Sequence, residues 1–588
     1  MSGDAATPAP PLVAAALLEL LKVEGVSHVF GIPGGALVAM LAALKADPDI
    51  TYHTCRQETG AAYMADGYSR VSGGLGVVLV TSGPGATNAL TGAMNADASH
   101  SPLLVLTGEV KQQFFGRGYL QEGVDAGLDV VAVFRDALGY SEIATNVGNV
   151  QELFASAMRR AWGTPRRATH LSLPNDVAAS PTVGFSAPAS PATYRATIGA
   201  VDDAGVAAAV QAIVGAKRPL LMLGDDCRRA LTDDAMLAAF VSAVEHVSLP
   251  VMTSPNAKGL FPETHELSLR TYGLAGCLWP KLYLDNPDAG RYDALVVIGS
   301  ELGELATNTW DPVLVPDGPF VQIDEDPNEV GRAFPITLGV VGETAAVMRS
   351  FVDAANAATV DPSVAAARRA LIAQIKTQSP FVDPDKRMST SVPIKPQALA
   401  VLVNAAVPPG GHIMVDAGNC VGWCLHEMVI DPPTQIHSAL TMGPMGFATA
   451  AVVGAKLAAP DATCLAVVGD GGFMMQIGEV ATAAQHGVGA IWVVLADHDL
   501  AMVSQGMAAV TGDKSYDGYY TLGWTDLAAA ARGLGATAWD VASVDEATDA
   551  LAQAVEGAAA GVPQVVVAAI DTTEMPPYAY PPPPPPPS

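Results

Sequence analysis

Positive charge is scarce in this chain: 31 Lys and Arg stand against 59 Asp and Glu, a net charge of −28. Nucleic-acid phosphates require a basic footprint, so nucleic acid is excluded as a partner. The acidity reads as solubility. Charge of both signs is also low, 15% against 50% apolar residues, which excludes a disordered chain and describes a well-buried globular one. Cysteines number six, at 55, 227, 277, 420, 424 and 464. Only Cys420 and Cys424 are close, in a spacing that fits no usual zinc pair, so the expectation is buried thiols. Long apolar runs free of Gly, Pro and charge are missing, which excludes a membrane span. The opening MSGDAATPAPPLVAAALLELLK lacks a basic segment before its apolar stretch and reads as a short tail and a helix, not a signal peptide. The default location is cytoplasmic.

What is present is alternating strand and helix. At about 150 residues per domain, 588 residues suggest three or four domains, and three fit the motifs. The organising stretch is 467–503. Val467 and Val468 end an apolar strand, Gly469, Asp470, Gly471 and Gly472 form a turn of small residues, and a helical pattern runs through Gln485. Backbone N–H groups at that helix start suit an anion. A second apolar strand, Ala490 to Leu495, returns Asp497 to the same end of a parallel sheet, where ligands of open α/β sheets bind. Two carboxylates and an anion-binding turn suit Mg²⁺ bridging protein oxygens to phosphates. Taken alone, the turn is equally consistent with a structural element.

Further strand-turn-helix units precede it. In SHVFGIPGGALVAMLAAL a short strand ends at Phe30 and the turn runs from Gly31 through Pro33 and Gly34 to Gly35. In ITYHTCRQETGAAYMADGYSRVSG a strand leads to Glu58 at the start of a helix whose Ala61, Ala62 and Ala65 make a small-residue face. By position alone such a glutamate is a partner of the helix dipole. Residues 77–108 add two strands around TSGPGATN, and the alternation predicts α/β domains with doubly wound parallel sheets.

In this order, the PGG turn, Glu58, SGPGATN, Gln121-Glu122, Met445 and GDGG resemble the thiamine diphosphate-dependent enzymes of the acetolactate synthase type. The resemblance implies three doubly wound domains: a pyrimidine-binding domain at 1–190, a central domain at 200–355, a linker at 356–390, a diphosphate- and Mg-binding domain at 391–575 and a proline-rich tail at 576–588. It implies that the carboxyl of Glu58 bonds the aminopyrimidine ring and favours the imino tautomer, which takes the C2 proton. Gln121 and the Gly35 backbone would lie near C2. Pro33, Gly34, Pro84, Asn88, Gly443, Met445, Gly469, Asp470, Gly471, Gly472, Asp497, Leu500 and Met502 would hold the cofactor. Met445 would wedge between its rings; an ordinary core methionine is the alternative. The metal ligands would be Asp470, Asp497 and the main-chain carbonyl of Asp499.

Three departures mark the acceptor side: Leu120 replaces a phenylalanine, Leu305 an arginine that holds the acceptor carboxylate, and Gly506 a tryptophan. Leucine offers nothing to a carboxylate where a guanidinium would pair bidentately. Ala496 and Asp497 stand where the family has two asparagines, adding charge beside a diphosphate. His498 is either an acid or base, or a surface loop residue. The expected function is therefore a carboligase or decarboxylase acting on a 2-oxoacid such as pyruvate. The alternatives are a lyase or carboligase for other ketones and aldehydes, or a non-catalytic regulatory homologue. FAD, which the family binds in the central domain, is carried over only loosely because that match is loose. The expected assembly is a homodimer or homotetramer, with each site shared between the first domain of one chain and the third of another.

Overall fold

The structure is a computed structural model that describes residues 10–578 except 126, 198, 287–289 and 513–516. The expected amino-terminal tail over residues 1–9 and the proline run from 579 lie outside the described residues. Two units are distinguished, Met1–Thr197 with Val453–Ala459, and Ile198–Val452 with Pro460–Ser588. The first holds one six-stranded sheet and the second holds two, giving three α/β domains.

Strands such as Gly76–Val80, Leu103–Glu109 and Ile491–Ala496 are buried along their whole length. Continuous apolar runs of this kind belong to parallel sheets covered by helices on both faces. In the first domain the order across the sheet is Thr51–Thr54, His28–Gly31, Gly76–Val80, Leu103–Glu109, Ala168–Pro174, Ser141–Ile143. The third domain repeats that order with Gln435–Ser438, His412–Val415, Cys464–Gly469, Ile491–Ala496, Gln564–Ala569 and Thr537–Val541. Numbered along the chain, both read 2-1-3-4-6-5. The central sheet instead runs Ser268–Thr271, Val251–Thr253, Pro219–Leu223, Ala294–Ile298, Phe320–Asp324, Leu338–Val341, the 3-2-1-4-5-6 order of dinucleotide-binding folds. In the outer two domains the order reverses between their first and third strands, and ligands bind in the crevice beyond the strand ends at such a point.

The segment after the central sheet is packed rather than loose. Its helix Pro362–Ile375 inserts Arg368, whose guanidinium donates to the carbonyls of Val247, Ile213 and Ala216. The helical run expected from the GDGG turn to Gln485 is two helices, Asp470–Gln476 and Glu479–His486. Gly478 breaks it: glycine is a poor helix former, and the chain tightens there into bonds from Val480 N to Ile477 O and from Ala481 N to Gly478 O. All six cysteines are buried. Among the described residues no helix is long and apolar enough to cross a membrane.

Candidate active site

In the first domain, pairing of Gly31 with Leu79 sets the Pro33-Gly34-Gly35 turn beside the Ser82-Gly83-Pro84 turn. Gly35 opens a short 3-10 turn, Gly35–Leu37, and is exposed, as are Pro33 and Pro84. One strand over, Gln57 caps the helix Glu58–Ser72 by accepting Gly60 N–H at 3.1 Å. Because Gln57 takes the capping role, Glu58 at the first helical position is left to bond elsewhere. Its carboxylate accepts the Asn88 side-chain N–H at 3.0 Å. Asn88 rides the helix Pro84–Ala98, and its carbonyl accepts the Thr59 hydroxyl. The two helices approach this closely because their facing residues are small, with Ala61, Ala62, Ala89 and Ala93 fully buried. Gln121 belongs to the same mouth: a methyl on Gly83 would stand 3.3 Å from its Cα. Glu58, Asn88, Gln121 and the two turns are thus brought together. Leu120, next to Gln121, is 82% exposed.

In the third domain, strand Cys464–Gly469 delivers Asp470 to the first position of a helix and buries it. One Asp470 oxygen accepts Gly471 N–H at 2.8 Å and the other accepts His498 N–H at 2.7 Å. Asp497 follows the adjacent strand and accepts Asp499 N–H at 3.2 Å. Burial raises Asp470 above the usual carboxylate range, against those N–H donors; burial and the neighbouring Asp470 charge push Asp497 up to about 7. His498 lies in the left-handed region, 43% exposed, with Nδ1 3.9 Å from Asp470. A side chain on Gly471 would meet Leu500 at 2.9 Å, Leu522 at 3.3 Å and Met445 at 3.4 Å, so these apolar groups converge on the turn. Met502 is the second residue of the helix Ala501–Thr511, close to Leu500 in sequence, and Gly443 precedes Met445 in a loop. Among the described residues no three His, Cys, Asp or Glu side chains form a ready metal cluster. The implied ligand set has two carboxylates and a carbonyl.

Sequence reasoning missed Asp416. It ends the first strand of this sheet, is 1% exposed, and accepts Gly446 N–H at 2.8 Å and Ala448 N–H at 3.0 Å. It therefore ties down the loop that carries Met445. It also explains Gly472, where a methyl would fall 2.1 Å from the Asp416 carboxylate. An acid closing an apolar strand was the only signal available. On the acceptor side, Leu305 lies in the loop after Ala294–Ile298, its carbonyl accepting Leu274 N–H at 2.7 Å, while Gly506 lies within Ala501–Thr511. Leu305 and Gly506 stand on different elements, and Leu120 belongs to the other unit.

Comparison with known proteins agrees with this layout. Residues 12–129 match the family described as thiamine pyrophosphate enzyme, N-terminal TPP binding domain; 206–351 match its central domain; and 416–568 match its C-terminal TPP binding domain. A Mycobacterium tuberculosis protein provisionally named an acetolactate synthase large subunit is 31% identical over 538 residues, covering 88% of this chain and 91% of its own. The acetolactate synthase large subunit of Haemophilus influenzae is 26% identical with 92% and 91% covered, and the isozyme 3 large subunit of Escherichia coli K12 is 28% identical with 82% and 81% covered. With the three domains in family order and relatives aligned along nearly their full length, the chain belongs to the thiamine pyrophosphate enzymes and is an acetolactate synthase-like, thiamine diphosphate-dependent member of them.

Proposed function

We propose that the chain is a Mg²⁺-assisted carboligase or decarboxylase that cleaves a 2-oxoacid such as pyruvate and transfers the two-carbon unit to an acceptor. The observation that carries the reading is the Glu58 carboxylate, fixed by Asn88 at 3.0 Å in the mouth between the two glycine-proline turns. When bound, thiamine diphosphate supplies the electron sink that a 2-oxoacid needs to lose carbon dioxide. Glu58 would hold the aminopyrimidine through its carboxyl, and Asn88 keeps that carboxyl from turning back to cap its own helix. Gln121 presents an amide to the substrate side. Met445, Leu500 and Gly471 offer an apolar seat for the remainder of the cofactor.

The acidic turn fits a hard divalent cation. Burial and the Asp470 charge raise the cost of ionising Asp497, and Asp499 Oδ1 is buried with no hydrogen-bond partner. A cation held by Asp470, Asp497 and the Asp499 carbonyl would relieve that repulsion and anchor the diphosphate. FAD is left out of this reading. At the ends of the central strands stand Asp225, Asp226, Glu301 and Glu325, and the cations among them are already engaged: Arg228 with Asp225, Arg229 with Asp226 and Glu325, Arg332 with Glu301 and Glu329. Five carboxylates share three guanidiniums in these pairs, so a flavin diphosphate would meet a net negative charge there. The site would be shared between two copies of the chain, in a homodimer or homotetramer.

A second reading, a lyase or carboligase for other ketones or aldehydes, is favoured by Leu305 and Gly506, which remove a cation and a bulky ring from the acceptor side. The test is calorimetric titration of metal-stripped protein with thiamine diphosphate, with and without Mg²⁺, followed by carbon dioxide release from pyruvate. Metal-dependent binding with release is the expected result. Binding without release would move the assignment to the second reading, and absence of binding would overturn both.

A further inference from the structure

Glu109 closes the strand Leu103–Glu109 and is 1% exposed, an uncommon place for a carboxylate without a task. One of its oxygens accepts Val110 N–H at 2.8 Å and Gly123 N–H at 3.2 Å; the other accepts the Ser82 hydroxyl at 2.6 Å. Ser82 begins the glycine-proline turn, and Gly123 lies two residues after Gln121. The fit is close: a methyl on Gly123 would stand 2.5 Å from Ser82 Oγ and 2.6 Å from Glu109. Gln121 itself lies at φ +61°, a left-handed conformation that costs a non-glycine residue about 1 kcal/mol and persists only where its surroundings impose it.

Two carboxylates divide that work. Glu122 makes the loop rigid from within, accepting N–H groups of Gly116 and Tyr119 while Phe114 and Tyr119 stack at 4.8 Å. Internal bonds of this kind shape a loop without attaching it to anything. Attachment to the Ser82 turn runs through Glu109.

We propose that Glu109 is a positioning residue of the active site, anchoring the loop so that Gln121 is held in its left-handed conformation against the Ser82–Pro84 turn and presents its amide to substrate. The proposal rests on the reading of Gln121 given above. A glutamine at 109 would preserve the bonds: its carbonyl accepts the two N–H groups and its amide donates to Ser82 Oγ.

The test combines a double-mutant cycle with hydrogen exchange. Glu109→Ala, Glu109→Gln, Gln121→Ala and the double alanine variant are assayed for 2-oxoacid decarboxylation, using whichever acid of a panel the wild type turns over fastest. Thiamine diphosphate affinity is measured alongside. Glu109→Ala is expected to lower kcat by roughly 10-fold or more with cofactor affinity within about 2-fold, Glu109→Gln to restore most of it, and Glu109→Ala to cost nothing further in the Gln121→Ala background. In cofactor-free protein, exchange over residues 114–123 should rise about 10-fold in Glu109→Ala and return to normal in Glu109→Gln. Additive losses, or unchanged loop exchange, overturn the proposal and leave the reading of Gln121 standing. A fully active Gln121→Ala removes that reading and the proposal with it. If Glu109→Ala does not fold, Gly123→Ala, whose methyl displaces the loop from Glu109, carries the same cycle, and wild-type activity in it overturns the proposal.

Discussion

Acid should loosen the first domain through one histidine. His170, on the strand Ala168–Pro174, is fully buried between the hydroxyls of Thr107 at 2.9 Å and Ser141 at 2.6 Å, with Phe134 stacked at 4.2 Å. Burial pushes its pKa down to about 3 from an ordinary 6.5. The unfolded chain therefore takes up the proton first as pH falls. The stability this neutral histidine confers is complete above about 6.5 and is lost progressively down to about 3. Between pH 8 and pH 5 the loss is about 2 kcal/mol, from 1.36 kcal/mol per unit below about 6.5, or about a 30-fold rise in the open population. The assay is hydrogen exchange of the peptide spanning Ala168–Pro174 at several pH values, corrected for the intrinsic rate. His170→Gln, which cannot titrate, should show a flat opening free energy across the same range. An identical pH dependence in the variant would refute the argument, as would a flat wild type. The effect bears on function because this strand pairs with Leu103–Glu109, which ends in the proposed loop anchor. His412 and His426, each pushed down to about 4 chiefly by burial, give the same sign in the other unit.

Glu58→Gln should lower kcat/KM by about 100-fold or more, the scale of lost proton-transfer catalysis, with calorimetric affinity for thiamine diphosphate changed far less. Asp497→Asn should weaken Mg²⁺ binding by about 10-fold, read by metal titration in the presence of the cofactor, since a neutral amide replaces an anionic ligand. Asp416→Ala deprives Gly446 and Ala448 of their acceptor and should lower stability by about 3 kcal/mol, at about 1.5 kcal/mol per bond to a charged group, measured by the urea midpoint of the second unit. The purified protein should show no flavin absorbance, whereas stoichiometric flavin would refute the charge argument made for the central domain.

How much the chain disclosed depended on whether the determinant was local. Turns that require glycine or proline are written in a few adjacent residues, so Pro33-Gly34-Gly35, Ser82-Gly83-Pro84 and Gly469–Gly472 could be placed at strand ends before any coordinates. The place of Glu58 at a helix start was legible from the strand before it and the small-residue face after it, but by position alone it read as a partner of the helix dipole, and its role at the site came from the family resemblance. Asp416 and Glu109 were not. Each is one acid after an apolar run, and what distinguishes it is complete burial against N–H groups contributed from as many as 32 residues away. The break at Gly478 was hidden for a related reason, since one glycine inside a helical pattern is commonly tolerated.

The repeated strand order of the outer domains shows where specialisation resides. Each sheet carries a histidine as the first residue of its first strand and another as the third residue of its second: His28 with His53 at 2.8 Å, His412 with His437 at 3.3 Å. These pairs are alike in both domains. The turn ends differ. After the second strand the first domain places the carboxylate of Glu58, and the third places Met445; after the fourth strand they place Glu109 with its Gln121 loop, and Asp497 with Leu500. After the third strand stand Ser82-Gly83-Pro84 in one and Asp470-Gly471-Gly472 in the other. Under the proposed function, this common frame would offer acceptor and amide groups suited to a heteroaromatic ring in the first domain, and carboxylates with an apolar seat suited to a cation and its diphosphate in the third. On that proposal neither set contains what the other supplies, so a chain with only one of these domains would bind half a cofactor.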